Sequence, residues 1–411
     1  MTGAAAPRLP AYSVFAGVLA AAGLPIYIHA PKFYVDEYGV SLAALGAVLF
    51  GLRLIDVVQD PVLGWISERL SARRGLAVGL GVALLAISML ALFAVSPPVA
   101  PLLWFGLCLT GLFTAFSFLT INFYAQGVRT AARLGDRGHV RLAAWRETGA
   151  LLGVCLAAIA PNLAMQLTGH PFAAFAAGFA ALALLAGWLM RPEWSRAGAV
   201  GGTGMLTVLS DPVARRLLIV ALVNATPVAV TSTLFLFFVE SRLQAPGWDG
   251  PLLLLFFISA AAAAPLWGRA AERHGAKRVL MAGMLLSIAA FGVAVFLGAG
   301  DTILFALVCL ASGAALGADM TLLPAIFAGR LARVAPEAGQ GFGLWSFVTK
   351  FTLAFAAAIL LPLLEASGFE SGTDNPPSAL LTLTLLYAAL PCALKFVAVG
   401  LLATTPLKED S

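Results

Sequence analysis

LAALGAVLFGLRLIDVVQDPVLGWISERL, residues 42–70, decides how this chain is read. From about Leu42 to Ile66 the stretch is apolar around a few polar residues. It is also long enough to cross a bilayer, which takes about 20 residues of helix. A helix turns once in 3.6 residues, so Asp56 and Asp60 share one face, with Arg53 a turn earlier. A carboxylate at membrane depth costs roughly 2.5–3.5 kcal/mol on insertion scales, so it has to face a partner, a cavity or an ion. Two acids on one face repel each other unless one takes a proton or a cation lies between them. The pair outlines a cation-coupling site. The plainer reading is a buried ion pair with Arg53 or Lys350 that only fixes helix packing.

Composition carries the membrane reading to the rest of the chain. Of 411 residues, 61% are apolar and 11% charged, against roughly 25% charged in soluble domains. Twelve apolar stretches of spanning length follow one another, at about 11–35, 41–66, 75–95, 101–128, 142–165, 171–191, 213–239, 250–270, 277–298, 302–330, 340–366 and 379–403. The first is too long for a signal-peptide core. With both termini inside, 20 of the 25 Lys and Arg fall in cytoplasmic segments and two in outer loops. That is the positive-inside bias, and it predicts an integral, multi-pass protein of the plasma (inner) membrane with cytoplasmic termini. The net charge of +5 then faces anionic membrane lipid, not nucleic acid. Cys108, Cys155, Cys309 and Cys392 all lie in apolar spans without CxxC spacing, which argues against a disulfide framework or a zinc site.

The chain also repeats itself. Pro61-Val-Leu-Gly64-Trp-Ile-Ser-Glu68-Arg69 recurs as Pro265-Leu-Trp-Gly268-Arg-Ala-Ala-Glu272-Arg273, 204 residues later. Each copy runs into a basic cluster, Arg73-Arg74 and Lys277-Arg278. The expected architecture is therefore all-α, with twelve transmembrane helices in two six-helix pseudo-symmetric halves. The halves are residues 1–191 and 213–411, joined by a cytoplasmic linker at 192–212. The repeat contains its own control, because Asp56 and Asp60 map onto Ala260 and Ala264. The shared turn does not need those acids.

The repeated turn resembles the loop signature of the major facilitator superfamily, with Glu in place of Asp in both copies and Ser71-Ala72 where the first copy would carry Gly. In this reading Glu68, Arg69, Glu272 and Arg273 hold helix ends together and gate. The run from Phe33 to Ser41 through Gly46, Arg53, Asp56, Asp60-Pro61 and Gly64 resembles the glycoside–pentoside–hexuronide:cation symporters, the family of melibiose permease. Asn122-Phe-Tyr124, Arg146 with Gly153, and Gly341 to Lys350 extend the likeness over most of the chain. The resemblance implies that Asp56 and Asp60 bind the coupling cation, helped by the fourth span, that Arg146 faces substrate, and that Lys350 neutralises the acids. Two sugar-site acids of the family fall at Ala20 and Asn122, so a galactoside is not implied. Asn122 still offers an amide oxygen, and Gln59 is a further ligand. The balance of two acids against Arg53 and Lys350 tilts the coupling ion from Na+ towards H+.

Other polar residues carry plainer readings beside the functional one. Glu147 is either a second coupling acid or the partner of a loop arginine. Asp319, between Gly317 and Pro324, either gates or caps a kink. Tyr27, Tyr124, Gln126 and Trp345 are amphipathic enough to line a substrate cavity, although each also suits packing. Lys395 is expected to snorkel or to pair locally.

These readings predict a monomeric secondary transporter that needs no cofactor. Its partners are a small polar, sugar-like solute and a coupling cation, moved together by alternating access. A lipid, lysolipid or amphiphile carrier or exporter of the same fold is the alternative. No GxxxxGK[ST] sequence is present, and no GxSxG or HExxH pattern supports an enzyme.

Overall fold

The computed structural model describes residues 7–135, 137–194, 205–336, 338–369 and 375–407. Residues 195–204 of the expected linker, and the side chains of Tyr27 and Arg53, lie outside the described residues. Among the described residues the chain is helix and turn, without a strand. Lipid offers the backbone no hydrogen-bond partner, and a helix satisfies every N–H and C=O within its own segment.

The helices in order are α1 (Leu9–Tyr38), α2 (Leu42–Arg69), α3 (Arg74–Phe93), α4 (Pro101–Ala132), α5 (Gly138–Leu167), α6 (Pro171–Met190), α7 (Met205–Ser210), α8 (Pro212–Phe237), α9 (Asp249–His274), α10 (Ala276–Ala294), α11 (Thr302–Val334), α12 (Gly339–Ala366), α13 (Pro377–Thr384) and α14 (Leu390–Ala403). A π-helical turn, Leu385–Ala389, joins α13 to α14 into one pass, and α7 is a single short piece. Twelve long passes result among the described residues. The shortest, the 19 residues of α10, covers about 28 Å at 1.5 Å per residue, close to the roughly 30 Å of a hydrocarbon core. Among the described residues, eight of these passes are long and apolar enough to cross a membrane by length and composition. Asp56 and Asp60 lie on α2, Arg146 and Glu147 on α5, and Lys350 on α12.

These helices gather into two compact units, Met1–Val208 with Leu331–Phe347, and Leu209–Arg330 with Val348–Ser411. In the first unit α1 lies along α5 over small residues. A Cβ on Gly149 would come within 2.1 Å of the Ser13 carbonyl oxygen, and one on Gly153 within 2.2 Å of the Gly17 oxygen. This Gly-x-x-x-Gly contact brings two backbones together where lipid supplies no hydrophobic drive. The start of α12 also docks in this unit, with Gly64 and Gly343 letting its backbone approach α2. Glu68 sits at that helix N-terminus and accepts hydrogen bonds from the Gln340 backbone N–H at 2.9 Å and its Nε2 at 2.7 Å. A carboxylate there satisfies an N–H that has no partner within the helix.

In the second unit α8 and α10 pack on α14, and α9 packs on α10 and α11. The two copies of the repeated turn close differently. Gly275 adopts φ +87°, a conformation open to glycine. The first copy has Ser71-Ala72 instead and closes through a 3-10 turn, Ser71–Arg73, with no positive φ. Beside that turn Arg69 stacks on Trp65 at 3.8 Å, whereas Arg273 is exposed and Glu272 half-buried.

Candidate functional site

Asp56 and Asp60 lie inside α2, 4% and 0% exposed, and Asp56 meets α4. The contact between these helices is made by polar side chains. Asp56 Oδ1 accepts from Gln59 Nε2 at 3.0 Å and from Ser117 Oγ at 2.9 Å. Gln59 Oε1 in turn accepts from Thr114 Oγ1 at 3.1 Å. One helical turn beyond Ser117, Asn122 Nδ2 donates to the Phe118 carbonyl and its Oδ1 accepts from Ser67 Oγ, both at 2.9 Å. Thr114 to Asn122 on α4 spans about 12 Å of helix. A seam of hydroxyl, amide and carboxylate oxygens therefore runs along the α2–α4 contact, and it contains Asp56.

A second cluster joins α4 to α5. The Arg146 guanidinium stacks on the Tyr124 ring at 3.7 Å, and its Nε donates to Glu147 Oε1 at 2.6 Å. Tyr124 donates to the same oxygen at 3.1 Å. Glu147 thus pairs with its own neighbour, not with a loop arginine. Arg146 is 6% exposed, and its Nη2 has no hydrogen-bond partner among the described residues. A buried guanidinium N–H without a partner is costly, and it can be satisfied by an oxygen of a bound solute. The Tyr124 ring also meets Phe342, centroids 5.0 Å apart.

Other expected residues are placed elsewhere or engaged differently. Gln126 accepts from Arg74 Nη1 at 3.3 Å and donates to the Glu193 carbonyl at 2.6 Å, which commits it to tying α4 to the start of α3 and the end of α6. Trp345 and Lys350 are both half-buried on α12, the first in the first unit and the second in the other. Lys395 does not snorkel. It is 2% exposed and reaches Asp319 on α11 and Asn224 on α8. Sequence reasoning did not single out Asn224, Ser117, Thr114 or Ser67. A hydroxyl or amide in an apolar helix is common, and only the facing helix shows which of them meets an acid.

The fold is that of an integral, multi-pass membrane protein. The chain matches the model of the MFS/sugar transport protein family over residues 11–409, and it belongs to that family. Comparison with curated proteins finds no match. Among solved structures, a bacterial homologue of the iron transporter ferroportin superposes with TM-score 0.71 at 14% identity, over 97% of this chain and 99% of that one. The human organic anion transporter TETRAN gives 0.66 at 16% identity, over 96% and 98%. The E. coli fucose:proton symporter gives 0.66 at 14% identity, over 95% and 97%. At such identities the likeness is one of fold: the twelve-helix, two-half architecture of the major facilitator superfamily.

Proposed function

We propose that this transporter is a cation-coupled symporter of a small polar, sugar-like solute, of the glycoside–pentoside–hexuronide type, with the acids of α2 as its coupling site. The observation that carries the reading is the burial of two carboxylates one turn apart in a transport fold. Their mutual repulsion makes the site's affinity for a cation depend on its surroundings, which alternating access changes. A proton is favoured over Na+. Gln59 and Ser117 already donate to Asp56, taking lone pairs that a metal ion would need, whereas a proton needs only one. Arg146, with its open Nη2 and the stacked Tyr124, supplies the donor and aromatic face that a hydroxylated solute requires. The protein acts as a monomer in the inner membrane with its termini in the cytoplasm.

The test is uptake into proteoliposomes of a panel of radiolabelled mono- and disaccharides, with a lysophospholipid as comparison, under an imposed pH or Na+ gradient. The expected result is sugar accumulation driven by the pH gradient. It should be abolished in Asp56→Asn and Asp60→Asn while equilibrium exchange persists. Undiminished uphill uptake in the double variant contradicts the assignment, and lysophospholipid movement without sugar uptake favours an amphiphile carrier.

A further inference from the structure

The second unit has no acids at the positions equivalent to Asp56 and Asp60, yet it buries a charged pair of its own. Asp319, 8% exposed on α11, forms an ion pair through Oδ2 with Lys395 Nζ of α14, which is 2% exposed. Lys395 is also held by Asn224 Oδ1 of α8 at 2.7 Å. Three helices meet at this ammonium. The lysine is thus satisfied on two sides, but the aspartate is not: its Oδ1 is buried and has no hydrogen-bond partner among the described residues. Asp319 and Lys395 line a cavity of about 20 Å³ with Thr231, Ser287 and Ser312 among its walls. That is room for one water or hydronium, with several hydroxyls to hold it.

A pair kept only to pin three helices together would satisfy both carboxylate oxygens, because an unpartnered buried oxygen is a cost that packing does not require. An unpartnered carboxylate oxygen beside a water-sized cavity with three hydroxyls in its walls is what a proton acceptor requires. We propose that Asp319 is a proton-binding site of the second unit, separate from the acids of α2. A hydronium in the cavity transfers its proton to Oδ1 and leaves a water. The carboxylate becomes neutral, its attraction for the ammonium falls away, and Lys395 keeps its proton and Asn224. The site gains one positive charge, and the contact between α11 and α14 is loosened.

The groups around Asp319 isolate this titration. Among the described residues, α9 presents Ala260 and Ala264 to α11 near Gly317, and α10 presents Gly283 and Ser287. Asn224 and Thr231 come from α8. Lys395 is the charged group that meets it. Away from the helix ends, the other titratable groups of the unit among the described residues are Cys309, Cys392 and Tyr387, which pack in its apolar cluster, and Lys350, half-buried on α12.

The experiment is an infrared difference spectrum of the full-length protein on acidification through the range where carboxylates titrate. It compares wild type, Asp319→Asn, Asp319→Asn/Lys395→Met and Asp56→Asn/Asp60→Asn. The double variant at Asp319 and Lys395 removes both charges, so it retains a folded comparison should the single variant collapse around an unpaired lysine. The expected result is a protonated-carboxyl stretch in wild type. One component of it should persist in the α2 double variant and be lost from both Asp319 variants, the α2 acids and other carboxylates contributing the remainder. A band of full wild-type intensity in Asp319→Asn/Lys395→Met overturns the proposal, as does its loss in the α2 variant alone. A failure of sugar uptake to depend on Asp56 or Asp60 would leave this band unaffected, so the two assignments stand or fall separately.

Discussion

The α2–α4 contact and its repeat-related counterpart, α9–α11, solve one packing problem in opposite ways. In the first unit three side-chain pairs, Asp56–Ser117, Gln59–Thr114 and Asn122–Ser67, bridge the helices. In the second the helices approach closely instead. A Cβ on Gly313 would lie 2.2 Å from the Phe256 carbonyl oxygen, and one on Gly317 2.7 Å from that of Ala260. Side chains there bond to backbone, Ser259 Oγ to the Leu310 carbonyl at 2.6 Å and Trp267 Nε1 to that of Ala314 at 2.7 Å. Ala260 and Ala264 fill the space where α2 carries its acids, both 0% exposed. Two helices in this fold can therefore be held together without a carboxylate. The acids of α2 are an addition to the packing, which is why a functional role suits them.

The strongest way to break this comparison is to move an acid across it. Ala260→Asp would bury a carboxylate in a backbone-tight contact with no donors aimed at it. A loss of about 2.5–3.5 kcal/mol, seen as poor expression or a large fall in thermal stability, is expected. Wild-type stability would show that α9–α11 has room for an acid after all. Removing a donor from the seam is gentler. Ser117→Ala deletes a hydrogen bond to a buried carboxylate, worth about 1.5–3 kcal/mol. It should lower the melting temperature of the purified protein more than Thr114→Ala, which removes a bond to a neutral amide. An equal effect of both would contradict the weight given to the Asp56 contact.

The smallest effect belongs to an ion pair outside the seam. Asp211 caps α8, accepting from Ala214 N–H at 2.7 Å, and pairs with Arg330, whose Nε lies at 2.9 Å. The guanidinium holds the Asp211 carboxyl below the usual carboxylate range. Its contribution is then present above the ordinary aspartate pKa and lost as pH falls through the lowered value. Asp211→Asn should cost about 0.5–1 kcal/mol at neutral pH and nothing in strong acid. A penalty unchanged by acid would locate the effect in the cap alone.

The repeat was legible because the recurrence of Pro61, Gly64 and Glu68 with their spacing is a property of the sequence itself. The passes were legible for the same reason: apolar length is a local property, and α12 spans Gly339–Ala366 against an expected 340–366. Asp56 and Asp60 stood out because a charge in lipid is rare. What sequence left unread was partnership. Lys395 meets groups 76 and 171 residues away, and Gln126 is taken by Arg74 and Glu193 rather than left for a solute. No local pattern separates those outcomes, since each depends on which helix face turns towards which neighbour.

The most direct test of the central claim is thermal unfolding of the purified protein across pH and Na+ concentration, with Asp56→Asn and Asp60→Asn beside wild type. A ligand that binds only the folded form raises stability with its concentration. The account predicts a pH-dependent shift in wild type that both variants erase, with little response to Na+. A shift that survives in both variants, or a stabilisation by Na+ indifferent to them, would contradict it.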